Sequence, residues 1–133
     1  KFLTPGKPGY VEHVWANLTE AVAWITGAGG VAVIAHPGRY DMGKKLYPKL
    51  MNDFKLAGGE AIEVVSGSQD PSQSEYFAKL ANEYGLFASC GSDFHGPGIS
   101  FRQMGQKQTI PSSCRPVWDK WPVIKKLIND DKN

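Results

Sequence analysis

Three short apolar runs constrain this chain more than any other feature. Val31 to Ala35 is apolar throughout, Leu86 to Cys90 nearly so, and Glu60 to Val65 lies between them. A run without polar alternation fits a strand buried on both faces, as in a parallel sheet covered by helices. A helical pattern precedes each run. Asn17 and Glu20 have capping-box spacing, and Leu18, Ala21, Val22 and Ile25 repeat along one face before Gly27-Ala28-Gly29-Gly30 ends the helix. A second helix is predicted from about Lys44 to Ala57, with Leu46, Leu50, Met51 and Phe54 apolar, and its regular part starts near Pro48. A third starts at Pro71 with Asp70 as its cap and runs through Tyr76, Phe77, Leu80 and Ala81 to about Tyr84, where Gly85 stops it. Helices alternating with strands imply an α/β fold with parallel strands. Past Gly98 the expectations are a short strand at 107–110 and a last helix at 116–129. Trp118, Trp121, Ile124, Leu127 and Ile128 form that helix's apolar face, and Pro122 falls in its first turn.

The chain has 133 residues, which suits one domain over 1–133 with a core of its own. A net charge of +2 is too small to argue for a broad nucleic-acid surface. No apolar stretch has the roughly eighteen residues that a membrane span needs, so no membrane partner is expected. The first residues, Lys1-Phe2-Leu3-Thr4-Pro5-Gly6, contain no signal-peptide core and no initiator Met, so a fragment or processed product is expected. Cys90 and Cys114 are far apart and form no CxxC. Reduced thiols in the cytoplasm are expected, with a single disulfide as the alternative. Tyr10, Trp15, Trp118 and Trp121 read as packing residues.

Each apolar run empties into a polar corner. His36-Pro37-Gly38-Arg39 follows the first, Ser66 follows the second with Glu63 inside it, and Gly91-Ser92-Asp93-Phe94-His95 closes the third. In a parallel α/β sheet the carboxyl ends of the strands lie on one side, so these corners can converge. Imidazole and carboxylate together suit Zn²⁺, Mn²⁺ or Fe, and the planar fork of Arg39 suits a phosphate. Each residue also has a plainer role open to it. His36 before proline could pack or cap, Asp93 is a good turn former, and Glu63 could be a strand carboxylate paired with a lysine. His13 is an isolated histidine in the irregular lead-in, and a surface or packing role is the simpler one.

The combination of Ala35-His36-Pro37-Gly38-Arg39-Tyr40 with Gly91-Ser92-Asp93-Phe94-His95 resembles the C-terminal half of PHP-domain (polymerase and histidinol phosphatase) phosphoesterases. Within them it is most similar to bacterial 3′,5′-nucleotide bisphosphate phosphatases that are also 5′→3′ exoribonucleases. Gly6-Lys7-Pro8-Gly9-Tyr10-Val11, Ala28-Gly29-Gly30-Val31-Ala32-Val33 and Glu63-Val64-Val65-Ser66-Gly67-Ser68-Gln69 share in the resemblance, which extends to about Pro122. It implies that the chain is part of a distorted (β/α)7 barrel, a TIM-barrel-like fold with parallel strands. Two or three divalent metals would sit at the strand ends, Mn²⁺ first among them, with Zn²⁺, Fe²⁺ or Mg²⁺ as alternatives. By the same resemblance His36, Asp93 and His95 are metal ligands and Arg39 binds phosphate. Ser66 is a weaker substrate-binding candidate, and His13 has no assigned role.

PHP domains begin with His-x-His, which this sequence lacks: His13, His36 and His95 are isolated. The expectation is therefore a C-terminal portion of a PHP domain, whose N-terminal half would be its partner. The full-length protein would hydrolyse nucleotides or short RNA, and the fragment alone would be nearly inactive. An open sheet edge would favour a dimer of the fragment. The alternatives are a phosphatase of a non-nucleotide metabolite, or a degenerate module that keeps the fold without the chemistry.

Overall fold

The computed structural model of the chain describes residues 2–67, 69–100, 102–106 and 108–124. Helices form where the caps predict them. In α1, Leu18–Gly27, the Asn17 side chain accepts the Glu20 N–H at 2.9 Å, and the Glu20 carboxylate accepts the Asn17 N–H at 3.1 Å. α3, Pro71–Glu83, opens on the same reciprocal pair between Asp70 and Gln73. α2 is Tyr47–Leu56, shorter than predicted, with Pro48 in its first turn. Pro48 has no N–H to offer the Lys44 carbonyl, so Lys44–Leu46 closes as a 3₁₀ turn through the Tyr47 N–H instead.

The sheet has three parallel strands in the order β1 (Val33–Ile34), β2 (Ala61–Ser66), β3 (Phe87–Gly91). Their register places Val33 beside Ala61 and Ala61 beside Phe87. β1 is much shorter than the apolar run that predicted it, and among the described residues it pairs only with β2. Its ladder ends at His36, whose backbone is left-handed at φ 32°, followed by Pro37. Between Glu63 and Val65 the β2–β3 register slips, so Glu63 faces Ser89 while Val65 faces Cys90. Ile62, Val64, Met51 and Ala81 are fully buried in a core that α2 and α3 cover from outside the sheet.

Several expectations are corrected. The strand over 107–110 does not form: Gln108–Ile110 are irregular, and Lys107 lies outside the described residues. The neighbour of β3 is instead Arg115–Pro116. The Arg115 carbonyl accepts the Ala88 N–H at 2.7 Å, and Pro116 makes an isolated parallel bridge to Ala88. Pro116 has no donor with which to extend the ladder. The expected last helix is interrupted: Val117–Lys120 is a 3₁₀ turn, Trp121, preceding Pro122, is extended at φ −117°, ψ 99°, and helix resumes at 122–124, where the described residues end. Leu127 and Ile128 lie outside the described residues. On α1 only Val22 is buried, whereas Leu18 and Ile25 are exposed. Trp15 is not a packing residue among those described: it is 86 % exposed, and its ring lies 6.0 Å from that of His13. Cys90 and Cys114 are free thiols. No described helix is long and apolar enough to cross a membrane.

Candidate active site

The carboxyl ends of all three strands contribute to one corner. From β1 comes the 3₁₀ turn Pro37–Arg39, from β2 Glu63 and Ser66-Gly67, and from β3 the loop Ser92–His95. The corner is held together at two points. The Glu63 carboxylate accepts the His36 backbone N–H at 2.5 Å, tying β2 to the left-handed turn after β1. Gly67 touches the loop after β3 so closely that a Cβ there would lie 1.9 Å from the Ser92 carbonyl oxygen.

Asp93 sits on that loop with φ 51°, a conformation that Asp adopts more readily than most residues. Its side chain is only 12 % exposed, and its Oδ2 pairs with Arg39 Nη1 at 2.6 Å. His95 Nδ1 lies 2.7 Å from the Asp93 backbone carbonyl. A carbonyl only accepts, so Nδ1 carries the proton, and Nε2 is left with the lone pair that a metal or an acid–base partner needs. The His95 N–H donates to the Ser100 hydroxyl at 2.6 Å, which fixes the loop. Arg39, Gly67, Ser92, Asp93, His95, Ile99 and Ser100 line a cavity of about 170 Å³.

His36 stands beside this cavity without lining it. Its Nδ1 is buried and has no hydrogen-bond partner, as is the hydroxyl of Ser66. Burial pushes the Glu63 carboxyl above its usual range, and nearby Asp93 adds to that. The His36 N–H and the His36 charge pull the other way. Burial, with the Glu63 charge, likewise raises the Cys90 thiol.

The structure thus brings Arg39, Asp93 and His95 together, with His36 one turn away through Glu63. It does not close His36, Asp93 and His95 into a metal cage. Among the described residues no three His, Cys, Asp or Glu side chains converge closely enough to hold an ion. Ser66 is buried beneath the corner rather than in the cavity, and His13 is exposed in the lead-in. The residue that the sequence reading noted at a strand exit but gave no site role is Glu63. It is not paired with a lysine but takes the His36 N–H, and the signal for it was an acidic side chain inside an otherwise apolar strand.

Known proteins bear on this corner. Across 118 residues the chain is 58% identical to a 3′,5′-nucleoside bisphosphate phosphatase of Chromobacterium violaceum, and across 121 residues 40% identical to the 5′-3′ exoribonuclease Rnm of Salmonella typhimurium. These matches cover 89% and 91% of this chain. The chain is a homologue of these nucleotide phosphoesterases. These relatives are of the phosphoesterase class that the motifs suggested. The chain spans 41% of the length of each of these two relatives. Among solved structures, an amidohydrolase from Chromobacterium violaceum, with bound sulfate and no metal, superposes with a TM-score of 0.77 at 56% identity over 90% of this chain and 41% of that one. A protein of Bifidobacterium adolescentis described as a metal-dependent phosphoesterase shares the fold, with a TM-score of 0.57 at 24% identity over 83% of this chain and 38% of that one. No protein-family model matches the chain.

Proposed function

We propose that this chain is the C-terminal part of a PHP-type (β/α) barrel, and that the full-length protein hydrolyses phosphate esters of nucleotides or short RNA with the help of divalent cations. The observation that carries the reading is the corner itself: a guanidinium, a buried carboxylate and an imidazole whose Nδ1 faces a backbone carbonyl, around one small cavity, in a chain homologous to nucleotide phosphoesterases.

The donors fit a cation in kind but fall short in number. The buried Nδ1 of His36 lacks a partner, and imidazole with carboxylate is a common donor pair for Mn²⁺, Fe²⁺ and Zn²⁺. Three such groups do not converge among the described residues, so the remaining donors would come from the part of the relatives' length that this chain does not span. His36, Asp93 and His95 would hold the ions on this side. When bound, such ions supply Lewis acidity toward the phosphoryl group and activation of water. Arg39 offers parallel N–H donors to two phosphate oxygens and positions the ester in the cavity. Ser66 lies beneath the cavity with its buried hydroxyl unpartnered and does not line the phosphate position. Glu63, through the His36 N–H, fixes the angle at which the His36 turn leaves β1.

The test is phosphate release from adenosine 3′,5′-bisphosphate and from short 5′-phosphorylated RNA, with and without Mn²⁺. The full-length protein is expected to be active, its Asp93→Ala variant to lose activity at least a hundredfold while keeping its fold, and the 133-residue chain alone to be nearly inactive. Robust Mn²⁺-dependent release by the isolated chain would refute the divided site. A fully active Asp93→Ala protein would refute the ligand assignment.

A further inference from the structure

The turn after β1 faces two cavities, and the reading above uses only one. Arg39 lines the phosphate-sized cavity. Its chain neighbours Gly38 and Tyr40 line a second cavity of about 180 Å³. The walls of this second cavity are aromatic: Tyr40, Tyr47, Tyr76 and Phe77, with Lys44 and Gln73 as polar groups. The rings of Tyr47, Tyr76 and Phe77 meet edge to face, with centroids 5.3 to 5.8 Å apart. The Tyr47 hydroxyl donates to the Pro37 carbonyl at 2.8 Å, so this cluster is anchored to the same turn that carries Arg39. The Gln73 side-chain amide donates to the Gly38 carbonyl at 3.4 Å, and Lys44 Nζ lies 5.2 Å from the centre of the Tyr76 ring.

We propose that this aromatic cavity receives the nucleobase of a nucleotide whose phosphate is held at Arg39. The proposal rests on the phosphoesterase reading and makes it more specific. A base is flat and polarisable, and it gains most against aromatic walls whose geometry is already set. The edge-to-face cluster supplies such walls, and no ring needs to move to build them. One turn separates the two cavities, with Arg39 facing one and its flanking residues facing the other. A phosphate ester without a base fills only the first cavity and makes no use of the second. Stacking also tolerates any base, which suits an enzyme that takes successive nucleotides from the end of an RNA regardless of sequence.

The experiment is calorimetric titration of the full-length protein, without added metal, with adenosine 3′,5′-bisphosphate and with the matching abasic sugar bisphosphate. The adenosine compound is expected to bind about tenfold more tightly or better. Tyr76→Leu is expected to bring its affinity down toward that of the abasic compound. Tyr40→Leu, at a half-exposed wall position, gives the same readout if Tyr76→Leu does not fold. Equal affinity for the two compounds in the unaltered protein overturns the base cavity and leaves the phosphate reading standing. Failure of both to bind overturns the two together.

Discussion

At the scale of single residues, the corner depends on Gly67 as much as on any charged group. The backbones of β2 and of the loop after β3 meet there with no room for a methyl group. Gly67→Ala must push the Ser92–His95 loop outward, and overpacking of this kind costs about 1 to 3 kcal/mol. The expected result is a lower Tm together with weaker sulfate binding, read by thermal unfolding with and without added sulfate. Sulfate affinity equal to that of the parent would show that the contact does not position the loop. Asp93 and His36 share the feature of left-handed backbone on a residue other than glycine. Such positions are uncommon and gather at functional sites, where surrounding contacts hold them in place. Here those contacts are the Arg39 ion pair on one and the Glu63 hydrogen bond on the other.

At the scale of elements, local chemistry decides what can be read in advance. Both capping boxes, the proline in the first turn of α2 and the glycines that end the helices were legible because each acts within a few residues of chain. The length of β1, the failed strand at 107–110 and the slip between Glu63 and Val65 were not, because each depends on a partner brought in from far along the sequence. The site divides in the same way. His36, Arg39, Asp93 and His95 could be named from their motifs, but Glu63 gains its meaning only when β1 and β2 pair. The α3 cap allows a test of its own. The Ser72 hydroxyl first, and then the Gln73 N–H, hold the Asp70 carboxyl below its ordinary 3.8. A carboxyl lowered in the folded state stabilises the fold above its unfolded pKa, and that contribution is lost as pH falls through the folded value. Asn caps a helix about as well as Asp. Asp70→Asn is therefore expected to change Tm little at neutral pH and to lose less stability than the parent below about pH 4. Thermal melts from neutral to acid pH check this, and parallel acid declines in the two proteins would contradict it.

At the scale of the whole molecule, much apolar surface is exposed, part of it on α1, β1 and the lead-in. Leu18, Trp24 and Ile25 on α1, Val33 on β1, and Val11, Val14 and Trp15 in the lead-in are all exposed. Among the described residues no strand pairs with β1 on the side away from β2. An unpaired strand edge and an uncovered helix face favour association with another chain. The isolated chain is expected to self-associate as its concentration rises, measured by sedimentation velocity. A clean monomer at high concentration would show that these surfaces are tolerated in water.

The sheet order has a consequence for how the chain comes into being. Each strand lies beside the next one synthesised, so pairing can follow the ribosome, adding one helix and one strand at a time to a growing edge. Arg39 is in place early, but its partner Asp93 arrives only when β3 docks. The corner therefore closes only when β3 docks, and a nascent chain halted before Asp93 would carry Arg39 without the carboxylate that restrains it.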